Sequence, residues 1–235
     1  MAQSVGNAKN ILVGASPLFL SNVDINDSDY IDNVEPGAGL AAGSNTVGVP
    51  AFSTGVSYTT TLNSVNQTAG LFGYRNVGFT NNGLQITYNP TYDSVTVDQL
   101  LDTAKLFKSA MEVMIATEMS EGTLENIVTV FGQSATSLST TGSGTSKVDT
   151  LKIEAGSLGA APTERQLIAI GQAPTSSSTA SERVYYARRV LSVQQSQFSL
   201  ARTTPTTFPV TFRLLPDANY AGSEYGKIID RVLTV

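Results

Sequence analysis

Apolar residues in this chain recur mostly at every second position, the period of a β-strand that turns one face to a core and the other to water. In residues 84–88, Leu84, Ile86 and Tyr88 share one face, and Gln85 and Thr87 share the other. In residues 112–119, Val113, Ile115 and Met119 oppose Glu112, Met114, Ala116 and Glu118. Residues 194–201 and 207–215 read as a further pair: Phe198, Leu200, Phe208, Val210, Phe212 and Leu214 point inward, while Gln195, Gln197, Ser199, Thr211 and Arg213 point outward. An earlier apolar run, residues 10–20 (NILVGASPLFL), predicts a strand kinked at Gly14 and Pro17. Residues 78–132 then read in order as a strand hairpin, a long excursion, another strand and one short helix. The fold class this predicts is all-β with one short flanking α-helix.

That helix spans residues 123–132. Thr123 can cap its N-terminus, Glu125 lies near the positive end of its dipole, and Gly132 can take the left-handed position just beyond its end. Leu124, Ile127, Val128 and Phe131 fall at i, i+3, i+4 and i+7, so they form one apolar stripe predicted to pack on the sheet. Residues 100–110 (LLDTAKLFKSA) admit two readings. The spacing of Leu101, Ala104 and Phe107 suits one or two turns of amphipathic helix, and the alternative is a long protruding loop.

Polar and glycine-rich segments punctuate these elements. Residues 22–48 carry Asp24, Asp27, Asp29, Asp32 and Glu35 ahead of PGAGLAAGSNTVG, which predicts a long acidic and Gly-rich loop. Residues 51–71 favour Ser, Thr, Tyr and Val, as in a hairpin or extended arm. Residues 133–148 and 173–181 read as polar surface loops. The length of 235 residues lets one core serve the whole chain, so a single domain over 1–235 is expected.

Composition removes most catalytic chemistry. The chain has no Cys and no His, which excludes thiol and imidazole catalysis, disulfides and the common zinc sites. DINDSDY lacks the Gly and Glu that an EF-hand loop requires at its sixth and twelfth positions, so no metal is expected. Glu112 and Glu118 share a strand face but lie roughly 20 Å apart at about 3.3 Å per residue, beyond the approximately 5 to 9.5 Å of a glycosidase pair. Neither a phosphate-binding Gly-Lys-Ser/Thr string nor a dinucleotide fingerprint occurs. The reading is therefore of a non-enzyme without a cofactor. No apolar run approaches the roughly 20 residues of a membrane span, and the N-terminal MAQSVGNAKN has no long apolar core after a basic start.

Charge adds a directional cue. Residues 1–146 hold 4 Lys/Arg against 12 Asp/Glu, and residues 147–235 hold 10 against 7, so −8 and +3 make up the net −5. A net acidic chain is a poor general nucleic-acid binder. An acidic part and a basic part suit head-to-tail association of identical subunits.

Four segments carry a resemblance to a known family: VGFTNNG at 77–83, VDQLLD at 97–102, TLENIVTVFG at 123–132 and TPTTFPVTFR at 204–213. Their order is similar to that in the tail tube proteins of long-tailed, siphophage-like bacteriophages, over most of residues 70–235. The resemblance implies a β-sandwich or partial barrel of the tail tube type and a structural virion protein. Its homo-hexameric rings would stack head to tail into a tube that conducts double-stranded DNA from the capsid to the host cell. The polar strand faces would then line the lumen, with Gln85, Thr87, Glu112, Glu118, Gln195, Gln197 and Thr211 as candidates. A long loop would reach the next ring through Leu101, Leu106 and Phe107. Expected partners are tape-measure, tail-tip and tail-terminator proteins, with no membrane; the expected location is the virion tail, and the host cytoplasm during assembly. Contractile and non-contractile tails both remain open. The alternative from another class is a secreted adhesin or carbohydrate-binding β-sandwich that stacks sugars on Tyr185 and Tyr186 or on Tyr220 and Tyr225.

Overall fold

The computed structural model describes residues 16–21, 74–98, 102–155, 158–159, 162–173, 181–194, 196–200, 202–203 and 205–232. Its strands are β1 (Leu18–Ser21), β2 (Tyr74–Asn76), β3 (Thr80–Thr96), β4 (Thr103–Met119), β5 (Leu138–Thr141), β6 (Val148–Leu151), β7 (Arg165–Gln172), β8 (Ser181–Ser192), β9 (Phe208–Leu214) and β10 (Gly226–Val232), with one α-helix, α1 (Leu124–Val130). The main sheet is antiparallel and runs β2-β1-β7-β8-β9-β4-β3, with β10 also pairing β8; β5 and β6 form a separate two-stranded sheet.

The connectivity requires this sheet to close on itself. β2 and β3 are at opposite ends of the strand order, which in a flat sheet would separate them by about 29 Å at about 4.8 Å per strand. Only residues 77–79 join them, a connection that spans at most about 14 Å. The sheet therefore curls strongly and brings its two ends near one another, in a fold that is all-β with one short helix as expected. The short connection depends on Gly78, whose φ of 85° favours glycine and whose missing Cβ leaves room for the Glu121 carboxylate. That carboxylate accepts a hydrogen bond from the Phe79 N–H at 2.9 Å.

The inner face gathers Leu18, Leu20, Val113, Ile115, Met119, Leu167, Phe208, Val210, Phe212 and Leu214 in one core. The alternation read from residues 112–119 and 207–215 thus holds. The runs LFLS in β1 and LIAI in β7 are continuous because both faces are covered: Phe19, Ile168 and Ile170 bury on the other side with Val184 and Tyr186.

α1 is capped as its sequence requires. The Thr123 Oγ1 accepts from the Asn126 N–H at 3.3 Å, and Gly132 has φ 65°. The packing stripe needs correction. Val128 is fully buried, and Leu124 and Ile127 are half-buried, but Phe131 is 40% exposed. Asn126, Thr129 and Val130 bury instead, because the helix is turned to receive the buried Arg75 of β2. The Arg75 guanidinium donates to Asn126 Oδ1 at 2.5 Å, Thr129 Oγ1 at 2.7 Å and the Glu125 carbonyl at 3.2 Å. Two partners are polar helix residues that a search for apolar spacing passes over.

Four more expectations change. Residues 78–88 are not a hairpin: Asn82 and Gly83 have φ 59° and 67°, yet they form a bulge inside one continuous strand, β3. Residues 103–110 are neither helix nor loop but the first half of β4. Residues 196–200 are irregular; Phe198 packs on Phe208 at 4.8 Å between ring centroids, but Leu200 is 87% exposed and β9 pairs with β8 and β4. Residues 133–148 contain β5, the start of β6 and two short 3-10 turns, Ala135–Ser137 and Gly144–Ser146. The predicted loop at 22–48, the arm at 51–71 and most of the loop at 173–181 lie outside the described residues, as does the first part of the 10–20 run. Pro17 immediately precedes β1, where that run ends.

Candidate functional site: a two-faced ribbon

β3 and β4 pair as one long antiparallel ribbon from Thr80↔Met119 to Thr96↔Thr103. β9 covers the flank of β4 only over Met114–Met119, so β4 residues 103–113 and their β3 partners extend past it by about 35 Å. Among the described residues nothing else pairs with them.

Three register shifts decide which side chains share a face. Between Asn81↔Glu118 and Gln85↔Ala116, β3 advances four residues while β4 advances two. The excess is even, so alternation is preserved. The bulge is fixed by Thr117, whose Oγ1 donates to the Gly83 carbonyl at 2.9 Å. Between Thr91↔Ala110 and Tyr92↔Lys108, β4 gains one residue, Ser109, and its faces exchange beyond that point.

Near the sheet, the polar face carries Gln85, Ala116 and Thr211 in one cross-strand row, Thr87, Met114 and Arg213 in the next, and Asn81, Glu118 and Pro209 in a third. The structure thus brings together Gln85, Thr87, Glu112, Glu118 and Thr211. The Arg213 guanidinium is 3.7 Å from the Glu112 carboxylate, which offsets the cation on this face. Asn81 Nδ2 donates to Glu118 at 3.4 Å and Thr211 Oγ1 to Gln194 at 2.9 Å. Gln197 is exposed on the irregular segment away from these rows, and Gln195 lies outside the described residues.

The opposite face continues the core outward. Ile86, Tyr88 and Tyr92 on β3 and Met111 and Leu106 on β4 follow from Ile115 and Val113, yet Tyr88, Tyr92 and Leu106 are 59%, 57% and 63% exposed. Lys108 shares this face: its Nζ lies 5.7 Å from the Tyr88 ring centroid and 2.7 Å from the Met111 sulfur. Leu106 and Phe107 are successive strand residues, so they point to opposite faces: Leu106, opposite Ser94, shares the face of Tyr92, and Phe107, opposite Asp93, lies on the polar side. The expected protruding loop is corrected: both residues lie on β4. Leu101 lies outside the described residues. Tyr92 and Met111 stay in phase with Tyr88 and Val113 but lie beyond residues 84–88 and 112–119, the stretches whose alternation was read, whereas Leu106 is put out of phase with Val113 by the extra Ser109.

The tyrosines proposed as sugar platforms are largely spent on packing. Tyr186 is buried, and the Arg188 guanidinium stacks 3.5 Å from the Tyr220 ring centroid. Among the described residues no group of three or more carboxylates gathers into an ion site. The electrostatic perturbation at the helix is structural: burial, reinforced by nearby Arg165 and opposed by Glu125, lowers the Arg75 pKa to about 10. No helix among the described residues is long and apolar enough to cross a membrane, which says nothing of crossing by strands. No family profile and no curated protein matches the chain.

Proposed function

We propose that this chain is the subunit of a protein tube, the tail tube of a long-tailed bacteriophage, built from stacked rings. The observation that carries the reading is the ribbon. A two-stranded ribbon is marginal alone in water, and this one presents Tyr88, Tyr92 and Leu106 on one face with nothing described over them. A neighbouring copy that covers this face would contribute on the order of 1 kcal/mol for each half-exposed side chain it buries. Ring closure would also pair the open edges of β3 and β10, which otherwise template uncontrolled association.

The polar face supports a lumen. Glu112, Glu118, Gln85, Thr87 and Thr211 are neutral or acidic, and Arg213 faces Glu112. A basic lining would hold phosphates through counterion release, whereas a neutral to acidic one lets a duplex slide. On this reading the rings are hexameric and meet tape-measure, tail-tip and terminator proteins. The protein is a structural virion component of the tail, made in the host cytoplasm, and not an enzyme.

Sedimentation and negative-stain electron microscopy of the purified protein across a concentration series test the reading. Rings or tubes with a central channel are the expected result. A strictly monomeric protein, also in the presence of tail-tip components, overturns it, and monomers that bind glycan would favour the adhesin.

A further inference from the structure

The geometry points to Asn82 as a site of spontaneous covalent modification: ring closure with Gly83 to a succinimide, followed by hydrolysis to isoaspartate and aspartate. The inference stands whether or not the chain forms tubes.

Three observations converge on this peptide. First, Asn82 is followed by Gly83, the one residue type with no side chain to block approach of its amide nitrogen to the asparagine Cγ. An added Cβ at Gly83 would meet nothing within 4 Å, so the peptide faces open space. Second, the pair sits in the bulge, where residues 82–84 have no register partner on β4 and both Asn82 and Gly83 are exposed. A strand residue held in a ladder cannot easily rotate to the geometry of ring closure; here the Thr117 hydroxyl holds the Gly83 carbonyl, which lies beyond the reacting Asn82–Gly83 peptide, and no ladder partner faces residues 82–84. Third, Asn82 already occupies the left-handed region at φ 59°, away from the extended conformation of its neighbours. Asn81 and Asn89 are internal contrasts, since they pair with Glu118 and Glu112 and precede Asn82 and Pro90.

The chemistry balances with water as co-reactant. The Gly83 amide nitrogen loses its proton and forms a bond to Asn82 Cγ. The Cγ–Nδ2 bond breaks, and the amino group leaves with that proton as ammonia. Water then adds to either carbonyl of the five-membered ring and breaks its bond to the ring nitrogen. Opening at the backbone carbonyl gives isoaspartate, and opening at Cγ gives aspartate. Either product adds a carboxylate to the hollow that Asn82 shares with Gln85, Glu118 and Thr211. Isoaspartate also lengthens the main chain by one carbon within a bulge that already holds surplus residues.

The test is peptide mapping by mass spectrometry of the folded full chain, aged in mildly alkaline buffer, beside the same chain in denaturant. The expected result is conversion at Asn82 well ahead of Asn81 and Asn89, with isoaspartate exceeding aspartate, at a folded-state rate within about tenfold of the denatured one. Gly83→Ala should slow conversion at least several-fold in both states. The denatured arm keeps that comparison valid if the substitution reshapes the bulge. Asn82 remaining intact in the folded chain while the denatured chain converts, aspartate appearing without isoaspartate, or an unchanged rate in the denatured Gly83→Ala chain would each overturn the assignment.

Discussion

Replacing Asn126 by Leu is expected to be among the most costly single changes outside the apolar core, although it removes no volume. Asn126 is buried and makes three side-chain bonds: its Oδ1 accepts from Arg75 Nη1, and its Nδ2 donates to the Val77 and Glu121 carbonyls, each at 2.9 Å. A bond to a charged group contributes about 1.5 to 3 kcal/mol and a neutral one about 1 kcal/mol, so the loss sums to about 3 to 5 kcal/mol. Thr129 moderates the upper figure, because it and the Glu125 carbonyl still receive the guanidinium. Asn126→Asp separates the contributions: it keeps an acceptor for Arg75 but loses both donors, so it should cost less than the Leu variant. Equilibrium urea denaturation of each variant, with the midpoint and slope fitted separately, measures both. A change within about 0.5 kcal/mol for Asn126→Leu, the size of an ordinary surface substitution, would show that the helix is not held to β2 in this way.

Phe212→Ala, at a fully buried ring, should cost about 3 to 5 kcal/mol, whereas Phe131→Ala at the exposed helix end should cost clearly less; thermal unfolding of the two together would refute the placement of α1 if their order reversed. On the proposed assembly, Leu106→Ser should weaken sedimentation of rings or tubes while leaving subunit stability within about 0.5 kcal/mol, and Phe107→Ser should affect assembly differently because it lies on the other face; identical assembly defects would count against the face assignment. The Arg183 guanidinium, bonded at 2.6 Å and 2.7 Å, holds the Asp230 carboxyl below its usual range. Its contribution is therefore fully present above the unfolded carboxyl pKa and is lost as pH falls through the lower folded value. Asp230→Asn should flatten that acid limb, and an unchanged slope of stability against pH in that window would refute the pairing.

What the sequence made legible follows from how local each determinant is. The faces of β9 and the inner half of β4 were readable because alternation there is unbroken over six or more residues and one face is apolar except for Thr117. The helix ends were readable because capping at Thr123 and Gly132 is decided within a few residues. The helix face was not, since Arg75, fifty-one residues away from Asn126, is what turns it. The outer ribbon was concealed in a comparable way: surplus residues at Ser109 and Ala104 shift the phase of β4, so its outer half shows no sustained alternation. Asn82-Gly83 carries the local signature of a tight hairpin, and only pairing with Thr117 and its flanking residues shows that the strand runs on. Of the proposed lumen row, Gln85, Thr87, Glu112, Glu118 and Thr211 came together because they lie on regular strands; Gln197 did not, because alternation alone predicted a strand that no partner supports.

The three-residue connection between β2 and β3 has a kinetic consequence. β3 and β4 are neighbours in sequence and can pair early, whereas β1 must find β7 from far along the chain, with the Arg165 side chain reaching the Ser21 carbonyl over 144 residues. Residues 77–79 tether the β1–β2 pair to the ribbon, so the long-range docking of β1 on β7 is the step expected last. Until then the chain presents unpaired strand edges, the state most prone to pairing with the wrong neighbour. Refolding should therefore tolerate dilution far better than concentration.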